Sequence, residues 1–94
     1  MKVINAFFYP KPSKKSEFVG LLTNLTINSR FEEGCIRYEF LKDAIDGNKY
    51  VLIEQWESAK AHENHLTYDY FKKFQNEIDE LLLNKSEIVM DDTK

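Results

Sequence analysis

The sequence predicts an α+β fold of the ferredoxin-like type, an antiparallel four-stranded sheet backed by helices in the order β-α-β-β-α-α-β. Three observations predict it. Residues 2–9, 35–42 and 49–57 alternate side chains with period two. Residues 18–25 and 71–82 carry apolar side chains at helical spacing. Asp46-Gly47-Asn48, between the second and third alternating runs, marks a hairpin turn.

Each element has its own grounds. In residues 2–9, Val3, Asn5, Phe7 and Tyr9 share one face, and Ile4, Ala6 and Phe8 the other. Both faces are largely apolar, so both are expected to be covered. Pro10 and Pro12 end this strand, because proline cannot continue a ladder. Ser13 is the expected N-cap of a helix with Phe18, Leu21, Leu22 and Leu25 on its inner face. That helix should run to Arg30 or Phe31, with Gly34 supplying the permissive backbone beyond it.

In residues 35–42, Ile36, Tyr38 and Phe40 lie opposite Arg37 and Glu39. Asp43 to Asn48 forms the turn. In residues 49–57, Tyr50, Leu52, Glu54 and Trp56 share one face, and Val51, Ile53 and Gln55 the other. Ser58 caps a short helix through Ala61, His62 and His65. A longer helix from Tyr68 places Phe71, Phe74, Ile78, Leu81 and Leu82 on one stripe. Residues 86–90 form the last short strand, and Asp91 to Lys94 a polar tail.

Composition bounds the function. The chain has 94 residues, which suits one domain spanning 1–94. A net charge of −3 disfavours general nucleic-acid binding, which needs a basic face to displace counterions. No apolar run approaches the ~18–20 residues that span a bilayer, so no membrane partner is expected. The N-terminus lacks the apolar region of a signal peptide, which makes a cytoplasmic location the expectation. The single Cys35 excludes an intrachain disulfide framework. Seven Phe, five Tyr and one Trp are a heavy apolar load for so short a chain. A thin monomer core would leave part of that load for a partner chain.

Several residues carry chemistry. His65 titrates near neutrality and suits a general base, or it ties its helix to a nearby carboxylate or carbonyl. Asn5 is an amide on an otherwise apolar strand face. Trp56 offers a stacking wall and one N–H donor, or packs in the core. Tyr38 and Tyr50 add phenolic donors. Glu54 is either a buried acid or the partner of Arg37 across the hairpin. Cys35 reads as a small buried hydrophobe. His62 and His65 form an H-x-x-H pair, but no Cys or third His completes it, so no metal is expected. Lys11, Lys14 and Lys15 at a helix start are either a phosphate site or a solvated cluster.

Glu33-Gly34-Cys35-Ile36-Arg37-Tyr38-Glu39, Tyr50 through Ser58 with Glu54-Gln55-Trp56-Glu57-Ser58 at its heart, and then Ala61, His65 and Phe71 resemble the antibiotic biosynthesis monooxygenase domain. The family usually has Pro before the Gly, where this chain has Glu33. The resemblance implies a homodimeric α/β barrel whose two sheets pack face to face, with a pocket between each sheet and its own helices. It implies oxidation of a quinol-like or polycyclic aromatic by O₂ without metal or flavin. His65, Asn5 and Trp56 are then the expected catalytic residues, and Tyr38, Tyr50 and Phe71 the expected substrate-binding ones. A haem-degrading branch carries an Asn, a Trp and a His. Asn5 fits the first, but His65 falls at the Trp position and Gln75 near the His, so no haem is expected. Two other functions fit the same fold. One is an isomerase or clearance enzyme for a small phosphorylated carbonyl metabolite. The other is a non-catalytic dimeric binding module.

Overall fold

A computed structural model describes residues 1–92. The elements are β1 (Lys2–Phe8), α1 (Lys15–Ser29), β2 (Cys35–Lys42), β3 (Tyr50–Trp56), α2 (Ala59–His65), α3 (Asp69–Leu81) and β4 (Glu87–Asp92). The strands form one antiparallel sheet in the order β2-β3-β1-β4, the expected ferredoxin-like arrangement. Among the described residues no helix is long and apolar enough to cross a membrane.

The helices cover one face of the sheet. Ile4, Ala6 and Phe8 of β1 and Tyr50, Leu52, Glu54 and Trp56 of β3 are buried beneath them. Phe18, Leu21, Leu22 and Leu25 of α1 meet them at the expected spacing. Phe18 is the hub at one end, with Phe8, Phe40 and Tyr50 around it at 5.8, 5.7 and 5.1 Å between ring centroids. Phe74 on α3 meets Phe8 edge-on.

The other face is open. Val3, Asn5 and Phe7 lie there beside Val51, Ile53, Gln55 and Val89, because Asn5 pairs with Ile53 on one side and Val89 on the other. These side chains are half-buried or exposed.

Several boundaries differ from the sequence expectation. Ser13 does not cap α1. It lies inside a short 3₁₀ turn, Pro12–Lys14, and α1 starts at Lys15 without a side-chain cap. Proline presets the first turn, so the chain enters the helix through a tighter one. Helix α1 stops at Ser29, with Arg30 as C-cap. Tyr9 falls outside β1, although its carbonyl accepts from Leu83 N. Lys49 and Glu57 lie outside β3, and Ser86 lies outside β4. Strand β4 instead takes in Asp91 and Asp92, whose backbones pair with Val3 and Lys2. Thr93 and Lys94 of the expected tail lie outside the described residues. A bulge between Cys35 and Arg37 removes Ile36 from the face of Tyr38 and Phe40, leaving it exposed.

Two loops hold as expected. Asp43 Oδ1 accepts from Ile45 N and Asp46 N, which turns the chain between β2 and β3. Ser58 Oγ accepts from Ala61 N at 3.1 Å and caps α2.

Candidate active site

A cavity of about 380 Å³ lies between the sheet and helices α2 and α3. Ile4, Ala6, Phe8 and Leu52 form its floor, and Phe71, Phe74 and Ile78 of α3 its roof. The alternation of β1 and β3 supplies the floor, and the stripe of α3 supplies the roof. The polar groups on the wall are Tyr38, Glu54, His62, Gln75, Asp79 and Ser86. No Lys or Arg lines it among the described residues. Its size and mostly apolar lining suit a small organic ligand.

Glu54 stands on this wall, buried on the helix-covered face of β3. Trp56 Nε1–H donates to its Oε1 at 2.9 Å. Burial pushes its carboxyl up to about 7, against the pull of hydrogen bonds from Trp56 and Tyr38, with the nearby Glu32 charge adding to the rise. Arg37 does not pair with it. The two side chains lie on opposite faces, and Arg37 Nε donates to Glu39 at 2.7 Å. Of the two readings of Glu54, the buried acid is the one the structure contains.

His65 is completely buried and does not line the cavity. Its ring sits behind Tyr38 and Phe71, at centroid distances of 5.5 and 5.0 Å, and against Trp56 at 4.8 Å. Nδ1 lies 2.8 Å from Glu32 Oε2, and Nε2 lies 3.5 Å from the Tyr38 hydroxyl. Burial lowers the His65 pKa, while Glu32 pulls it back up. Beside the Glu32 carboxylate a neutral ring would carry its proton on Nδ1 and turn its Nε2 lone pair towards Tyr38. The Tyr70 hydroxyl donates to the same Glu32 oxygen, and Glu32 Oε1 is buried with no partner among the described residues.

The expected site residues divide. Tyr38 and Phe71 line the cavity. Trp56 is fully buried beside it and reaches it through Glu54. Tyr50 faces the helices but stacks on Phe40 in the core, at 5.5 Å and 20° between rings, and is absent from the wall. Asn5 lies on the open face, with the whole sheet between it and the cavity. Period-two alternation places Asn5 opposite Ile4 and Ala6, so the helix layer that buries those two excludes it.

Glu32 and Glu54 are what sequence reasoning left out of the site. Glu54 had a signal, since it shares the face of Trp56. Glu32 had none, because its partner lies 33 residues away.

The remaining candidates are structural. Burial raises the Cys35 thiol to about 11, so it stays protonated. The His62 and His65 rings are 6.1 Å apart, and among the described residues no three His, Cys, Asp or Glu side chains converge as a metal-sized group. Lys14 pairs with Glu17, and Lys15 donates to the Gly47 carbonyl.

Fold and cavity together define a class, a ferredoxin-like α+β protein with a mostly apolar cavity between sheet and helices. The chain belongs to the antibiotic biosynthesis monooxygenase family, which matches residues 1–77. Over 89 residues it is 30% identical to YcnE of Bacillus subtilis, provisionally named a monooxygenase, covering 95% of this chain and 94% of that one. It is 36% identical over 78 residues to the uncharacterized protein sll1783 of Synechocystis, covering 83% of this chain and 53% of that one. The chain thus spans about half the length of that relative. Its fold superposes on Rv0793 of Mycobacterium tuberculosis with a TM-score of 0.93 at 26% identity, covering 99% and 94% of the two chains. A conserved protein of Methanosarcina mazei gives 0.91 at 27% identity, covering 99% and 92%.

Proposed function

We propose that this protein is a monooxygenase that inserts one atom of O₂ into a quinol-like or polycyclic aromatic held between the sheet and helices α2 and α3, without a metal, haem or flavin. The observation that carries the reading is the cavity wall. Aromatic and aliphatic side chains supply most of a chamber for a flat ring, and Tyr38 and Glu54 both line it. An electron-rich arene that loses a phenolic proton reduces O₂ itself, so the protein has to supply a base, oriented hydrogen bonds and exclusion of water. Family membership and the monooxygenase name of the Bacillus relative point the same way.

The wall also bears on the phosphorylated-metabolite alternative. Its lining includes the carboxyls of Glu54 and Asp79, and a phosphate would meet no Lys or Arg there among the described residues. Of the lysines near α1, Lys14 pairs with Glu17 and Lys15 with the Gly47 carbonyl instead.

The assembly belongs to the same reading. Val3, Phe7, Val51, Ile53 and Val89 make an apolar stripe on the open face. A second copy packed sheet to sheet would cover it and close a homodimeric barrel.

Oxygen uptake by the purified protein with a panel of reduced naphthoquinones and anthrones is the test. One oxygen atom should appear in the product from ¹⁸O₂, and uptake should persist after chelation. A folded protein that consumes no O₂ with any of them overturns the reading.

A further inference from the structure

A series of polar groups starts on the cavity wall and runs inward. Glu54 faces the chamber. Tyr38 pairs with Glu54 across β2 and β3, and its hydroxyl lies 3.5 Å from His65 Nε2. His65 in turn is held at 2.8 Å by Glu32. A base has to reach the proton it removes. Glu54 reaches the chamber, whereas His65 sits behind the Tyr38 hydroxyl.

We propose that Glu54 is the catalytic base that takes the phenolic proton of a ligand in the cavity, and that Tyr38, His65 and Glu32 are positioning residues that hold its carboxyl ready. The inference rests on the monooxygenase reading of the cavity. Tyr38 is the cross-strand partner of Glu54, and His65, held at Nδ1 by Glu32, stands behind the Tyr38 hydroxyl with Nε2 towards it.

Glu54 is raised by burial to about 7, which makes its carboxylate a far better match to a phenol than an ordinary one. The titratable groups around it are Tyr38 and Cys35 on β2 and Glu32 in the preceding turn, with His62 on α2 and Asp79 on α3 sharing its cavity wall and His65 further back behind Tyr38. The neighbours from β1 and β4, Ile4 and Met90, are apolar.

The step balances. The ligand O–H bond breaks, an O–H bond forms on Glu54, and the electron pair stays on the ligand oxygen. The resulting phenolate is oxidised and O₂ is reduced. The ring gains one oxygen atom and loses two hydrogens, and the second oxygen leaves as water. Glu54 returns its proton to that departing oxygen.

Two measurements on the full chain test this. In air, kcat/KM with a reduced naphthoquinone should rise with pH to a plateau, with its inflection near 7. Glu54→Gln should lower kcat by about 10²-fold and abolish that limb, and Glu54→Asp should restore the limb at a reduced rate. Under argon, 2-naphthol should bind wild type about tenfold more tightly at pH 8 than at pH 5.5, the effect of one hydrogen bond to an ionised carboxylate. Binding to Glu54→Gln should not vary over that range. Should Glu54→Gln fail to fold, the carboxyl carbon of Glu54 in ¹³C-glutamate-labelled wild type should titrate at a lower pH with 2-naphthol bound than without it. Turnover by wild type with an unchanged rate and pH limb in folded Glu54→Gln would overturn the assignment of Glu54 and leave the monooxygenase reading standing. Absence of O₂ uptake by wild type would overturn the monooxygenase reading, and pH-independent naphthol binding would overturn the contact itself.

Discussion

His65 Nδ1 meets Glu32 Oε2 at 2.8 Å inside the protein, and both side chains are almost wholly shielded from water. The pair ties the short helix α2 to the turn before β2. It also fixes which nitrogen of the ring faces Tyr38. Removing the carboxylate should therefore change the imidazole as well as the fold.

In Glu32→Gln the His65 pKa should fall further. Glu32 is what holds it up against burial, and the amide leaves burial unopposed. The hydrogen bonds from His65 and Tyr70 lose their charged acceptor, so stability should drop by about 1–3 kcal/mol. Imidazole NMR titration and urea unfolding check the two effects. A His65 midpoint that does not move would mean that the pair does not form in solution.

Stability should depend on pH through Glu54 and His65 with opposite signs. Glu54 is raised from 4.5 to about 7 in the fold, so its contribution is fully present below 4.5 and is lost as pH rises through 7. The loss is of the order of 3 kcal/mol. His65 is lowered from 6.5, so burying it neutral is favourable above 6.5 and is lost as pH falls below that value. Glu54→Gln removes the first effect alone. Relative to wild type it should gain stability between pH 5 and pH 8, measured by chemical denaturation at each pH. A constant difference between the two proteins would show that Glu54 titrates normally.

Ile53 lies at the centre of the open face, paired with Asn5 on β1 and Glu39 on β2. Light scattering of wild type should give about twice the 11.1 kDa chain mass. Ile53→Lys should give monomers, because a lysine would be buried unpaired in a sheet-to-sheet interface. A wild-type monomer at micromolar concentration would dispose of the barrel assembly and leave the fold of the chain unaltered.

Gly34 has φ +84°, and a Cβ there would fall 2.5 Å from the Ala61 Cβ. Its carbonyl also accepts from Glu57 N at 2.8 Å, so the turn cannot move away freely. Gly34→Ala should cost about 2 kcal/mol or more, from left-handed backbone and steric overlap combined. Thermal melting beside Gly20→Ala, where the added methyl meets nothing within 4 Å, provides the control.

The elements of this protein were legible because each carries a short-range pattern. Period two marks β1, β2 and β3, the Phe71-to-Leu82 stripe marks α3, and Ser58 marks the start of α2. Boundaries slipped where a local alternative competes, as at Ser13, which follows Pro12 into a 3₁₀ turn. Part of the site was legible too. Tyr38 and Phe71 do reach the cavity, because they lie on the inward faces of well-patterned elements.

What the sequence by itself determined is the order of elements, their inward and outward residues, and the family, since those follow from spacings of two to four residues and from motifs read in line. Which face of β1 the helices would cover stayed open, because Val3 and Phe7 are as apolar as Ile4 and Phe8. The tertiary structure decided that point, and with it sent Asn5 to the open face and Glu54 to the cavity. It also decided that His65 would lie behind Tyr38 and pair with Glu32. Such a contact joins side chains 33 residues apart, and its strength comes from burial that no local pattern encodes.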